Sequence, residues 1–302
     1  MDNKNNSRTF RFLKLIAITI VALAIIGVAA FETLRLPASP SVDHLRGLVI
    51  SHRGERANAP ENTLESIRLA HKLGAKVVEI DVVATSSDGV PILMHDCTVN
   101  RTTYGDGNIG SMTIKELKQL RIKHENPTYN DARIPTLDEA LDLIEELELK
   151  AEIEVKLFDV EEDVIVTRLA ESIRERNLYN RVHIASFYPS VLYRLRSVDP
   201  NIITAYLVHP EPTENRIVNR LLQLDIIGSF LGVGLVRPYR SMVDRDYIEH
   251  HQSAGRIVNV WVINDSQERA WAESLGVAYS TDCIAEACAS WNLGDDGSYA
   301  CR

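Results

Sequence analysis

From Leu48 onward, short apolar and β-branched runs alternate with amphipathic segments of helical spacing. The runs predict strands at Leu48–His52, Val77–Val83, Pro91–His95, Ala151–Leu157, Val182–Phe187, Ile203–Val208, Ile226–Val236, Ile257–Ile263 and Val277–Thr281. Helices are predicted at Leu64–Leu73, Glu161–Arg176, Ser190–Ser197, Glu214–Leu224, Asp244–Ala254 and Gln267–Leu275. Capping boxes at Thr113–Glu116 and Thr136–Glu139 open two more, the second running to Leu149. Repeated β-then-α order implies a parallel sheet with helices outside, and this many units favour a closed TIM (β/α)8 barrel over an open sheet.

Nine predicted strands are one more than such a barrel holds. Only the turn-like Ser86-Ser87-Asp88-Gly89 separates Val83 from Pro91. A parallel crossover needs about a dozen residues or more, so the chain is expected to double back there as a hairpin. That hairpin returns His95 to the side of Glu79 and Asp81. The stretch that follows, about residues 97–137, then reads as a small insertion after the third strand, rich in Gly and Thr at Arg101–Gly107. Loops of that length in compact domains are usually functional.

Ahead of the barrel, Leu15 to Phe31 carry no charge. With Phe12 and Leu13 this run approaches the roughly 20 residues of a membrane-crossing helix. Lys4, Arg8, Arg11 and Lys14 precede it and only Arg35 follows closely, which places the N-terminus in the cytosol and the domain in the lumen or outside the cell. The expected organisation is a cytosolic tail (1–11), a transmembrane signal anchor (12–31), a polar linker (32–46) and a catalytic domain (47–302). A cleaved signal peptide, cut near Val28-Ala29-Ala30, is the other reading and would give a secreted protein.

With 45% apolar and 25% charged residues the composition is that of an ordinary globular domain. A net charge of −9 excludes a nucleic-acid surface but not a phosphodiester substrate, since a local cation overrides the global sign. Cys97, Cys283, Cys288 and Cys301 match no zinc spacing. An oxidising lumen would permit disulfides, and Cys97 and Cys283 each follow an acid at a strand end, so a bridge between them requires both at one end of the barrel. Asn100-Arg101-Thr102 and Asn264-Asp265-Ser266 are glycosylation sequons usable in that compartment.

The chemistry-bearing residues concentrate at strand ends. Glu79 and Asp81 are two apart on a strand, so both point to one face, the barrel interior. Glu154 ends another strand, and Glu152 shares its face. Carboxylates from separate strand ends make the oxygen-rich site that Mg²⁺ or Ca²⁺ prefers. His52 and His95 each end a strand and each precede a charged residue, and together they read as an acid/base pair. Asn62 reads as the N-cap of the first barrel helix, Glu61 as a residue reaching the metal or orienting a ligand, and Asp96 as orienting a neighbour. Trp261 sits on a late strand end, either as an apolar wall for substrate or in the core.

In order along the chain stand His52-Arg53-Gly54, Pro60–Thr63, Glu79/Asp81, Thr85 with Asp88-Gly89 and Pro91, His95-Asp96, Arg101–Gly107, Glu154/Lys156, Ser186-Phe187, Trp261 with Asn264, and Thr281-Asp282. The series resembles the glycerophosphodiester phosphodiesterase family, within the phospholipase-C-like phosphodiesterases, over roughly residues 48 to 285. The resemblance implies Glu79, Asp81 and Glu154 as ligands of Mg²⁺ or Ca²⁺; Glu61, Asp96 and Glu152 are candidates behind these contacts on the reading of the residues alone, and at Glu152 the family often has another polar residue. It implies that one of His52 and His95 takes a proton from the attacking hydroxyl or water while the other protonates the leaving alcohol. Arg53 and Lys156 would hold the phosphate oxygens. The implied reaction is hydrolysis of a glycerophosphodiester, or of a lysophospholipid, to glycerol 3-phosphate or a lysophosphatidate plus an alcohol. The stretch Phe230–Gly234 and the anchor are similar to the animal membrane-type branch. Two alternatives are a sphingomyelinase D-like or phosphoinositide-cleaving enzyme on the same barrel and a catalytically silent lipid-headgroup binder. The Glu61-containing segment and the Arg101–Gly107 insertion argue against the first, and the complete set of histidines and acids against the second.

Overall fold

The computed structural model describes residues 2–84, 89–158, 162–209 and 225–284, with side chains from residue 16 and again from 18 onward. Eight parallel strands close on themselves: β1 (Ile50–Ser51), β2 (Val77–Ala84), β4 (Lys150–Val155), β5 (Val182–Ser186), β6 (Ile203–Val208), β7 (Leu235–Pro238), β8 (Ile257–Val260) and β9 (Ala278–Thr281). β1 pairs with both β2 and β9, which completes the barrel. The ninth strand, β3 (Pro91–Leu93), runs antiparallel to β2 with Val83 opposite Ile92, as the short turn demands. The expected turn residues Thr85 and Asp88 and the helix at Glu214–Leu224 lie outside the described residues.

The helices are α1 (Asp2–Leu34), α2 (Leu64–Lys72), α3 (Ile114–Leu117), α4 (Leu137–Glu146), α5 (Glu162–Glu175), α6 (Pro189–Val198), α7 (Ile226–Leu231), α8 (Arg245–Ser253) and α9 (Ser266–Leu275). Both predicted capping boxes form, at Thr113 with Glu116 and at Thr136 with Glu139. Such caps satisfy otherwise unpaired amides and typically contribute about 1 kcal/mol each. Strand residues Val78, Ile80, Ile153 and Val236 face the helices and form one continuous core with Ile67, Leu141 and Leu192. Alternate residues point inward, and the register sets Glu79 opposite Glu152 and Asp81 opposite Glu154. The insertion after β3 has a small core of its own around Val99, Ile109, Leu117 and Ile134.

Two expectations change. The run Ile226–Val236 is not a single strand. Asp225 and Gly232, both left-handed, bracket the short helix α7, and β7 begins only at Leu235. A glycine in that conformation stops a helix cheaply, so one apolar run divides into a helix against α6 and a strand. Nor is the segment between α1 and the barrel a free linker. Val42 and Leu45 are buried with Ala205, Leu207, Leu235 and Ile257 and plug the amino-terminal end of the barrel. Lys150, the first residue of β4, donates its ammonium to the His44 carbonyl at 2.7 Å.

α1 contains the apolar run as expected. Its described side chains, Ile16 and Ile18 to Val28, stand in the open, with Ile25 and Val28 each 64% exposed. Among the described residues no helix is long and apolar enough to cross a membrane. Cys97 and Cys283 are both disulfide-bonded. Cys288 and Cys301 lie outside the described residues.

Candidate metal and phosphodiester site

At the carboxyl end of the barrel, Glu79, Asp81 and Glu154 each offer an oxygen, and these oxygens lie within 4.8 Å of one another. All three residues are buried. β2 and β4 are neighbours in register, so period-two alternation delivers the three acids to one spot. Burial, then the like charges of Asp81 and Glu154, push the Glu79 carboxyl well up. Burial also raises Glu154. For Asp81 burial acts in the same direction, but Lys156, His95, Arg53 and His52 outweigh it and hold its carboxyl well below the usual range.

The turn after β1 is built around these acids. Arg53 is left-handed at φ 52° and Gly54 at φ 73°. This aims the Arg53 amide at Glu79 Oε2, 2.7 Å away. The Arg53 guanidinium lies 3.2 Å from Asp81 and 3.1 Å from Glu61. Lys156 lies between Asp81, at 3.2 Å, and Glu154. Asn62 is not the N-cap of α2. Thr63 takes that place, in a capping box with Ser66. Asn62 sits one residue earlier at φ 54° and binds Asp81 twice, donating Nδ2 to Oδ2 at 2.8 Å and accepting the Asp81 amide at 2.9 Å. Side-chain propensity pointed to a cap; the left-handed turn turns the same carboxamide inward.

Each imidazole is held by an aspartate. His52 Nδ1 lies 2.6 Å from Asp282 Oδ1, and its Nε2 faces Glu79 at 3.9 Å. His95 Nδ1 lies 2.8 Å from Asp96 Oδ1. Against the effect of burial, His52 and Arg56 hold Asp282 down to about 2, and His95 and Arg101 do the same for Asp96. Both aspartates are therefore acceptors, both Nδ1 atoms carry hydrogen, and Nε2 is the working nitrogen of each ring. Asp282 is fixed in turn by Asn264, whose Nδ2 donates to it at 2.7 Å. Arg101 clamps Glu61 through two nitrogens, at 2.9 and 2.7 Å, and also reaches Asp96.

Glu152, in register with Glu79, stays outside the acid cluster. It accepts from His183 Nε2 at 2.8 Å and pairs with the buried Arg237. Burial, then Lys150, lower His183 to about 3, so its ring is neutral. Arg237 also donates to Ser280 at 2.9 Å. Trp261 donates its indole N–H to the Arg237 carbonyl at 2.8 Å and packs with Phe187, Tyr239 and His209 as an aromatic wall. Asp282, Arg101, Asn264 and Arg237 carry weight that their place in the sequence motifs alone did not reveal.

A divalent cation fits this donor set. Glu79 Oε1 is buried with no hydrogen-bond partner. With all six ionised, Glu61, Glu79, Asp81, Asp96, Glu154 and Asp282 outnumber Arg53, Arg56, Arg101 and Lys156 by two, and the raised Glu79 and Glu154 carboxyls mark a cluster that lacks a counter-charge. Hard carboxylate oxygens in a buried cluster suit Mg²⁺ or Ca²⁺.

The family model described as the glycerophosphoryl diester phosphodiesterase family matches residues 52–281. The chain is 34% identical over 270 residues to glycerophosphodiester phosphodiesterase 1 of Mus musculus, covering 80% of this chain and 79% of that one. It is 32% identical over 271 residues to the Homo sapiens protein of the same name, covering 79% and 78%. Among solved structures it is similar to an Oleispira antarctica phosphodiesterase in complex with the product sn-glycerol-3-phosphate. That match has a TM-score of 0.69 and 29% identity, over 80% of this chain and 96% of that one. This chain belongs to the glycerophosphoryl diester phosphodiesterase family, whose members are phosphoric diester hydrolases.

Proposed function

We propose that the protein is a metal-dependent glycerophosphodiester phosphodiesterase held to a membrane by α1, with the barrel on the lumenal or extracellular side. The observation that carries the catalytic reading is the convergence of Glu79, Asp81 and Glu154 within 4.8 Å, flanked by two aspartate-held imidazoles. In this reading Glu79, Asp81 and Glu154 hold a divalent cation. When bound, the ion neutralises phosphate charge and polarises the phosphoryl oxygen.

Arg53 and Lys156 bind the remaining phosphate oxygens. Both are already positioned by Asp81, so little ordering is needed when substrate arrives. His52 and His95 move the protons. Nε2 of one ring takes a proton from the attacking water or hydroxyl, and Nε2 of the other gives one to the leaving alcohol. Asp282 and Asp96 keep each ring in the tautomer that leaves Nε2 available. Trp261 and its aromatic neighbours border the substrate on one side and exclude water from it. The products are glycerol 3-phosphate and an alcohol, or a lysophosphatidate when the substrate is a lysophospholipid.

Two features support the membrane reading. The apolar run of α1 is largely solvent-exposed, a state that a bilayer would relieve. The disulfide-bonded Cys97 and Cys283 suit an oxidising compartment. Of the two sequons, Asn100 is exposed, with its amide donating to Asp106, and Asn264 is half-buried, with its amide donating to Asp282. A metal-swap assay over a panel of glycerophosphodiesters and lysophospholipids tests the reading. Activity indifferent to chelation would remove the metal from it.

A further inference from the structure

The first residues after α1 form a strap that fixes the direction in which the anchor leaves the barrel. Ser39 and Val42 lie against Gly234 at the start of β7, and His44 meets Lys150 at the start of β4. These are amino-terminal strand ends, opposite the acid cluster. Going back along the chain, the Ala38 carbonyl accepts from Arg196 near the end of α6, and the Leu36 amide donates to Phe230 at 2.9 Å. Phe31 then packs on Phe230 with ring centroids 5.6 Å apart. Together with Pro189, Tyr193 and Ile226 these two rings line an apolar cleft of about 350 Å³. Pro189 opens α6 directly after the carboxyl end of β5, on the catalytic side. From Ala38 back to Phe31, therefore, the chain climbs α6 from its far end to its mouth-side end. Beyond Phe31 the described apolar side chains of α1, back to Ile16, are exposed.

From this path we infer that the catalytic mouth opens toward the bilayer that holds α1, with the cleft at the root of α1 seated at the lipid surface. The inference rests on the membrane reading above. Its apolar rim meets α1 at Phe31: Ile226 in the cleft is 38% exposed, and Tyr188, just before α6, is 40% exposed. The occupant of that rim is phospholipid at the level of the upper acyl chains, as an exposed apolar patch contiguous with an anchor requires. An enzyme held this way meets diesters in the membrane plane, so lipid-embedded lysophospholipids reach the site without crossing bulk water.

The test uses the full-length chain in phosphatidylcholine vesicles, with a photoreactive p-benzoylphenylalanine replacing one residue at a time. Tyr188, at the mouth-side end of α6, and Ile226, in the cleft, report the lipid-facing surface, and the exposed Val198 and Leu73 report the opposite end. Flotation with the vesicles checks the anchor separately. The inference predicts flotation, lipid adducts at Tyr188 and Ile226, and several-fold fewer at Val198 and Leu73. Flotation with adducts at Val198 and Leu73, at all four, or at none overturns the orientation and leaves the anchor standing. Failure to float overturns both. In parallel, Ile226→Asp should lower turnover of a vesicle-embedded lysophospholipid several-fold and leave a water-soluble glycerophosphodiester unaffected; equal loss on both contradicts a lipid-facing rim.

Discussion

Asp282 Oδ1 lies 2.6 Å from Nδ1 of His52, joining residues 230 positions apart where the last and first strands meet. The contact leaves Nε2 of His52 as the only ring nitrogen free for chemistry. Asp282→Asn should therefore lower turnover by about 10²-fold or more, since general acid–base groups contribute on that scale. The fold should persist, as judged by circular dichroism. Unchanged turnover would mean that the tautomer of His52 is set by something else.

His52→Ala and His95→Ala should each cut turnover by at least about 10²-fold. The double variant should lose much less than the product of the two single losses, because paired proton-transfer groups act as a unit. Steady-state kinetics on a glycerophosphodiester checks this. Full multiplicative loss would argue that the two rings act in independent steps.

Glu152 answers to stability rather than to the metal. Its carboxylate sits between buried His183 and Arg237. Glu152→Gln leaves the Arg237 guanidinium buried without its counter-charge, and removing one partner of a buried pair costs about 3–5 kcal/mol. Urea unfolding should show a loss of that size. A loss under about 1 kcal/mol, the scale of an exposed pair, would place Glu152 outside the ion-pair layer.

Acid should destabilise the barrel in two stages. Burial depresses His183 to about 3 and His251 to about 4, against an ordinary value of 6.5. The unfolded chain binds these protons first, so stability is complete above pH 6.5 and falls as pH drops toward 4. Asp282 and Asp96, each near 2 against an ordinary 3.8, hold their contribution above pH 3.8 and lose it as pH falls toward 2. Urea midpoints between pH 7.5 and 4.5 read the first stage; midpoints that rise as pH falls would reverse its sign.

Much of this site could be read from sequence because it depends on local periodicity. Two-residue spacing set Glu79 and Asp81 on one face, and a turn too short for a crossover forced the hairpin that returns His95. The supporting contacts were not visible in that way. Asn62 binds Asp81 only because its backbone is left-handed, where propensity favours a cap. Asp282 meets His52 only because the barrel closes. The left-handed Gly232 within one apolar run splits the predicted strand at Ile226–Val236 into α7 and β7. The residues after α1 looked polar enough for a linker, yet Val42 and Leu45 become the plug of the barrel floor, a role set by tertiary packing.

The acid cluster is tested most directly by titrating the chelator-stripped full-length chain with Mn²⁺, following bound ion by electron paramagnetic resonance and turnover of a glycerophosphodiester in the same samples. The account predicts activity that rises with occupancy of one tight site, and loss of both signals in Glu79→Gln and Asp81→Asn variants that remain folded. Full turnover in the stripped protein, or unaltered Mn²⁺ binding in those variants, would contradict it.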